Sequence, residues 1–226
     1  MKKFYELKKT SEEETELLIY GDITSLKWEE SDVGAYDFAK DLEGVDTNLK
    51  VRINSYGGEV AEGLAIYNML KNFGHKVTTV CDGFACSSAS VIFMAGSERL
   101  MNKGSLLLIH NAWTNATGDA NALRKQAEDL EKMTQPSIDI YTSVTGLPEM
   151  TIKEMMDEET WITSDEALDM HFATGIIEDG AKQSMHDTML NHLVVENKRL
   201  AKEIKALNTK EEEPSNPWQN YFKGGK

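Results

Sequence analysis

Apolar residues fall in short runs whose period changes along the chain, and glycine, proline or charge punctuates them. Leu17, Leu18, Ile19 and Tyr20 form a compact apolar run stopped by Gly21-Asp22, which predicts a strand. Residues 32–42 read as a helix, with Val33, Tyr36, Phe38 and Leu42 among its apolar positions. A second strand is predicted over 49–54. It runs into the turn Ser55-Tyr56-Gly57-Gly58 and then a helix with Val60, Leu64, Tyr67 and Leu70, closed by Gly74. Residues 76–81 are β-branched and apolar, and Asp82-Gly83 should break that strand. Residues 87–94 read as a buried helix of small and apolar residues, and 106–109 as an apolar strand ending on His110. A long helix is predicted over 119–144, with Pro136 expected to kink or interrupt it. Shorter helices follow over 149–156 and 164–170. Strands alternating with helices imply a mostly parallel, layered α/β fold.

The two ends differ from this core. Residues 1–15, closing on Glu12-Glu13-Glu14, read as a flexible, solvated arm, which leaves 16–183 as the main domain. Beyond it Leu190, Asn197 and Ile204 recur every seven residues, as do Leu193, Leu200 and Leu207, so 184–208 is predicted as a heptad-patterned helix. The alternative there is an ordinary amphipathic helix lying on the body. Residues 209–226 are polar and expected to be disordered, with Trp218, Tyr221 and Phe222 as a weak docking motif.

Composition narrows the function classes. The 226-residue chain is 40 % hydrophobic, enough for a substantial core. A formal charge of −14 argues against nucleic acid as a partner. No apolar run has the length of a membrane span, and no signal-type segment follows the charged start, so a cytoplasmic location is expected. Cys81 and Cys86 lie close together without metal-ligand companions; buried reduced thiols are expected, and neither a metal nor a cofactor.

Candidate chemistry centres on Gly83-Phe84-Ala85-Cys86-Ser87-Ser88. A strand ends, a glycine turn follows, and serines open an apolar helix. A serine nucleophile needs a base within hydrogen-bond reach and preorganised N–H donors for the oxyanion, and a helix start supplies such donors. Taken alone, the same residues serve equally well as a helix cap and a close-packing site. Of His75, His110, His171, His186 and His192, only His110 ends a buried strand, where a base would be rigidly held; a satisfied polar residue is the other reading. Asp157, Glu158 and Glu159 are an acidic run that reads either as a solvated loop or as the source of a third member.

These segments resemble the proteolytic subunit of the Clp protease. Ile53-Asn54-Ser55-Tyr56-Gly57-Gly58 is similar to its I-N-S-P-G-G turn, Gly83-Phe84-Ala85-Cys86-Ser87 through Ala95-Gly96 to its nucleophile segment, and Leu107-Leu108-Ile109-His110-Asn111 to its histidine strand. Gly63-Leu64-Ala65-Ile66-Tyr67-Asn68, His110-Asn111-Ala112-Trp113 and Glu159-Thr160-Trp161 look closer to the phage and prophage head maturation branch. The resemblance implies a ClpP/crotonase-like fold of repeated β-β-α units with a protruding handle helix, here with a C-terminal helical appendage. It implies Ser87 as nucleophile, His110 as base, and the backbone N–H groups of Gly58 and Ser88 as the oxyanion hole. Glu159, two residues before Trp161, stands where the family has aspartate; Asp157 is the alternative acid. Tyr56 stands where the family has proline. The implied assembly is a homo-oligomeric ring or stacked rings degrading polypeptides. Capsid or scaffold proteins are the substrates suggested by the head maturation likeness, and neither end matches what an ATP-driven unfoldase partner would require. Crotonase-type acyl-CoA chemistry and a non-enzymatic assembly or scaffold role are the competing classes.

Overall fold

The computed structural model describes residues 5–26 and 32–178, all within one compact unit ending at Glu178. The heptad-patterned segment and the tail lie outside the described residues.

The core is a sheet in the order β1-β2-β3-β4-β5-β8, with β6 and β7 added at the distal end of β4. β1 (Tyr5–Lys9) and β2 (Glu14–Ile19) pair antiparallel, so residues expected in a flexible arm instead extend the sheet. Hydrogen bonding explains the difference. The acidic run is the hairpin turn itself, where Ser11 Oγ accepts from Glu13 and Glu14 N–H groups and the Ser11 N–H donates to the Glu14 carbonyl. β3 (Asn48–Ser55), β4 (Val77–Cys86), β5 (Glu98–Asn102) and β8 (Gly175–Ile177) continue parallel to β2.

Alternation assigns the faces. Leu17 and Ile19 of β2 and Leu49, Val51 and Ile53 of β3 are buried with Phe38 of α1 (Ala35–Leu42) and Ile66 and Leu70 of α2 (Val60–Lys71) in one apolar core. The intervening residues form a polar face. Lys50 pairs with Glu14 at 2.7 Å, and Arg52 reaches Asp82.

β4 does not stop at Asp82-Gly83 as its sequence predicts. The buried Asp82 carboxylate accepts from Tyr20 Oη at 2.5 Å, Arg52 Nε at 2.8 Å and Asn102 Nδ2 at 2.8 Å, so a turn-forming residue is satisfied inside the sheet. The register against β3 shifts between Ile53 and Ser55, and the strand changes partners. Thr78 to Cys81 pair with β5, whereas Phe84 to Cys86 pair with β6 (Leu106–Ile109). β6 then pairs antiparallel with β7 (Thr160–Thr163).

α3 (Ser88–Phe93) is wholly buried behind β4. α4 (Ala120–Thr145) starts on Asp119, whose carboxylate accepts from the Asn121 and Ala122 N–H groups, and ends on left-handed Gly146. Pro136 lies inside it without dividing it. Its first half is exposed, and Ile138 and Tyr141 of its second half enter the core. α5 (Glu149–Asp157) and α6 (Ser164–Asp169) complete the layer, α6 with a Thr163/Glu166 capping box. Among the described residues, no helix is long and apolar enough to cross a membrane.

Candidate active site

Ser87 stands alone between the end of β4 and the start of α3, at φ 55° and ψ −128°. A side chain in that region costs about 1–3 kcal/mol, so the surroundings must impose it. Its N–H donates to the Leu108 carbonyl of β6 at 2.8 Å. Its carbonyl accepts from the Ser90 N–H at 2.9 Å and from Ser90 Oγ at 2.6 Å. Ser90 Oγ also lies 2.7 Å from the hydroxyl of Tyr141, a fully buried residue of α4. β6, α3 and α4 therefore fix the serine together.

The glycine turn forms the facing wall. The Ile23 N–H donates to the Gly57 carbonyl at 2.9 Å, and the Glu59 N–H donates to the Ile23 carbonyl at 2.7 Å, which pins the turn. Gly57 has φ 93° and Gly58 φ 151°. A β-carbon on Gly57 would sit 2.5 Å from the Cys86 carbonyl oxygen and 2.8 Å from Ser87 Cβ; one on Gly58 would collide with the Ile23 carbonyl. The Gly57 N–H is taken by Ser55 Oγ at 3.0 Å. The N–H groups of Gly58 and Ser88 take no partner among the described residues, which leaves two donors beside Ser87.

His110 follows β6 directly and is half-buried. It shares with Ser87, Gly57, Gly58, Tyr56 and Trp113 a cleft of about 970 Å³. No hydrogen bond joins the imidazole to Ser87 in this state; in enzymes without substrate, such contacts are often long and tighten when substrate binds.

The acidic run splits on folding. β6 and β7 pair Leu106 with Thr163 through Ile109 with Thr160, so His110 and Glu159 each stand one residue beyond the last pair of the ladder. Glu159 has φ 50° and an exposed carboxylate without a hydrogen bond among the described residues. Asp157, at the end of α5, accepts from Asn111 Nδ2 at 2.7 Å. The structure thus brings Ser87, His110, Gly58 and Ser88 together, leaves Glu159 one residue beyond the β6–β7 ladder, and ties Asp157 to the neighbour of His110.

Tyr56 packs its ring 5.6 Å from Phe84, which meets Trp161 of β7 at 5.7 Å, so aromatic contacts link the glycine turn to β7. The cysteines are reduced and buried; burial pushes the Cys86 thiol up to about 12 and Cys81 higher still, so neither offers a thiolate nucleophile at neutral pH.

Comparison with known proteins agrees with this architecture. Residues 29–180 match the Clp protease family. The chain belongs to the Clp protease family. It is 36 % identical over 143 residues to ATP-dependent Clp protease proteolytic subunit 3 of Rhodococcus jostii, covering 62 % of this chain and 71 % of that one. It is 32 % identical over 130 residues to the Deinococcus radiodurans proteolytic subunit, covering 57 % of this chain and 64 % of that one. A solved variant of Listeria monocytogenes ClpP1 superposes with a TM-score of 0.61 at 26 % identity, covering 73 % of this chain and 91 % of that one. Membership carries peptide-bond hydrolysis as the family's chemistry.

Ser90 and Tyr141 were not legible as part of the site. Ser90 lies three residues beyond Ser87, a spacing that sets side chains on one helix face and offered a signal. Tyr141 lies 51 residues from Ser90 and only the fold brings it in.

Proposed function

We propose that this Clp-family chain is a serine endopeptidase with Ser87 as nucleophile, His110 as general base and Glu159 as the carboxylate that orients the imidazole. The observation that carries this reading is Ser87, held in a strained backbone conformation, sharing a cleft with His110 and two unpartnered N–H donors. His110 takes the Ser87 proton as Oγ attacks the scissile carbonyl. The Gly58 and Ser88 N–H groups hold the oxyanion, the protonated imidazole then donates to the leaving amine, and water on the same base releases the acyl group. Glu159 is favoured because it and His110 both adjoin the last β6–β7 pair, Ile109 with Thr160; Asp157 is the alternative, favoured by its bond to Asn111.

The test is labelling with a fluorophosphonate and cleavage of unfolded casein. Ser87→Ala should abolish both with folding retained, and full cleavage by that variant would sink the reading. Glu159→Gln should reduce turnover about ten-thousandfold by the cost of losing a triad acid; a larger loss in Asp157→Asn would transfer the role.

The same proposal extends to a homo-oligomeric ring whose exposed α4 half contacts a partner copy, and to phage-type capsid or scaffold proteins as substrates. Trp113 beside His110 and Glu159-Thr160-Trp161 support the latter. Co-expression with a capsid precursor, read by mass spectrometry, tests it. Stimulation of casein cleavage by an ATP-driven unfoldase would favour a general proteolytic subunit instead, and absent labelling of Ser87 would favour an assembly factor.

A further inference from the structure

The turn that carries Gly58 is held from two sides, and one buried hydroxyl joins the holds. On the first side, Asn54 Oδ1 accepts from the Phe84 N–H of β4 at 3.1 Å, where the β3–β4 register shifts, and Ser55 pairs with Ala85, two residues before Ser87. On the second side, the Ile23 N–H donates to the Gly57 carbonyl at 2.9 Å, and the Ile23 carbonyl accepts from the Glu59 N–H at 2.7 Å. Ser55 Oγ reaches this side too. It donates to the Gly21 carbonyl at 2.7 Å and accepts from the Gly57 N–H at 3.0 Å. A hydroxyl has one proton to give and lone pairs to spare, so both bonds form at once. Ser55 is 4 % exposed, so loss of its hydroxyl strands the buried Gly57 N–H.

These bonds decide which way two successive peptide planes face. In a trans peptide the carbonyl and the N–H point in opposite directions. The Ile23 N–H on the Gly57 carbonyl therefore turns the Gly58 N–H, which belongs to the same peptide, away from Ile23. The Ser55 hydroxyl takes the N–H of the preceding peptide and fixes that plane as well. Two glycines in succession, at φ 93° and 151°, resist rotation weakly on their own, so their orientation comes from these contacts.

Resting on Ser87 as the acyl acceptor and the Gly58 N–H as an oxyanion donor, we infer that Ser55 is a positioning residue for the hydrolysis: its hydroxyl, shared between Gly21 and Gly57, locks the glycine turn in the orientation that leaves the Gly58 N–H free for the oxyanion. Ser55 is buried and takes no part in the walls of the cleft, so it acts through Gly58 and not on substrate. Negative charge appears on the scissile oxygen only as the tetrahedral intermediate forms, so a misaimed donor weakens the transition state and not the bound substrate. The loss therefore falls on kcat and spares KM.

The experiment measures kcat and KM of the full chain on a fluorogenic peptide, per folded molecule, for Ser55→Ala, Ser55→Cys and Ser55→Thr. Removing a whole oxyanion donor costs about a hundredfold to a thousandfold in kcat; Ser55→Ala loosens the donor without removing it, and should lower kcat by about tenfold to a hundredfold at unchanged KM. Ser55→Cys keeps the size but is a weaker donor and acceptor, so it should fall between alanine and wild type. Ser55→Thr keeps the hydroxyl and should restore most of kcat. Affinity for a peptide aldehyde, whose adduct on Ser87 sets an oxygen in the oxyanion site, should weaken by the same factor as kcat. A merely structural role would lower the folded fraction and leave kcat and aldehyde affinity per folded molecule unchanged. Wild-type kcat per folded molecule in Ser55→Ala or Ser55→Cys, or a loss carried by KM, would overturn the inference. Fluorophosphonate labelling of the wild type separates the two readings. Absent labelling of Ser87 removes the proposed nucleophile and this inference with it, whereas a labelled wild type with kcat flat across the series overturns this inference alone.

Discussion

Replacing Ser90 with alanine tests how the fold holds Ser87, the proposed nucleophile. Ser90 Oγ bonds the Ser87 carbonyl at 2.6 Å and the Tyr141 hydroxyl at 2.7 Å. Its loss leaves the carbonyl with the Ser90 N–H, so that acceptor is not orphaned. The Tyr141 hydroxyl is different. Its residue is 1 % exposed, burial holds its pKa well above the usual phenol value, and its hydrogen-bond partner is Ser90. One lost hydrogen bond at about 1 kcal/mol plus one buried orphan at about 1–3 kcal/mol predicts a destabilisation of about 2–4 kcal/mol. Tyr141→Phe removes the other hydroxyl and leaves Ser90 bonded to Ser87, so it should cost about 1 kcal/mol. On a Tyr141→Phe background, Ser90→Ala should then cost much less than it does alone, a coupling that urea unfolding of the four proteins measures. The catalytic consequence follows from strain. With its carbonyl less firmly held, Ser87 drifts from its unfavourable dihedrals, and fluorophosphonate labelling at matched folded fraction should slow by about tenfold to a hundredfold. Wild-type stability together with a wild-type labelling rate in Ser90→Ala would refute the reasoning.

Three further outcomes are expected. Asp82→Ala strands Arg52 beside a sheet face built to pair it and should cost about 3 kcal/mol in urea unfolding, more than Asp82→Asn, which keeps an acceptor for Tyr20. Gly58→Ala drives a β-carbon into the Ile23 carbonyl at a backbone angle that favours glycine, so Ser87 labelling should be lost even where circular dichroism reports a folded chain. Burial raises the Cys86 pKa above its unfolded value, so the folded state loses stability as pH rises from about 8.5, the free thiol value, towards about 12; melting temperature should fall across that window, and iodoacetamide should modify the cysteines only after unfolding.

Much of this protein was legible in its local sequence. Period-2 burial in β3 and the apolar face of α2 are properties of neighbouring residues, and the reading placed both. Ser87 and His110 stand out as candidates because a glycine turn and a strand end are short-range signals. The errors came where partners distant in sequence override local preference. Asp82-Gly83 reads as a strand stop, yet Tyr20, Arg52 and Asn102 satisfy the carboxylate and the strand runs on to its second partner. Residues 5–9 read as solvated, yet β2 offered an open edge to pair. Pro136 did not divide α4, whose second half is anchored in the core by Ile138 and Tyr141.

The site divides in the same way. The sequence by itself determined which atoms can do chemistry, because a hydroxyl, an imidazole and a glycine turn are covalent facts of the chain. Only the tertiary structure decided their arrangement. β4 had to bend from β5 to β6 to carry Ser87 to the end of the histidine strand, and the β6–β7 pairing had to bring the acidic run to the same end. Tyr141 had to arrive from another helix to hold the serine carbonyl through Ser90, and α2 had to press Gly63 against Ser88. Each depends on which distant groups meet once the core excludes water, and no short window of sequence encodes that meeting.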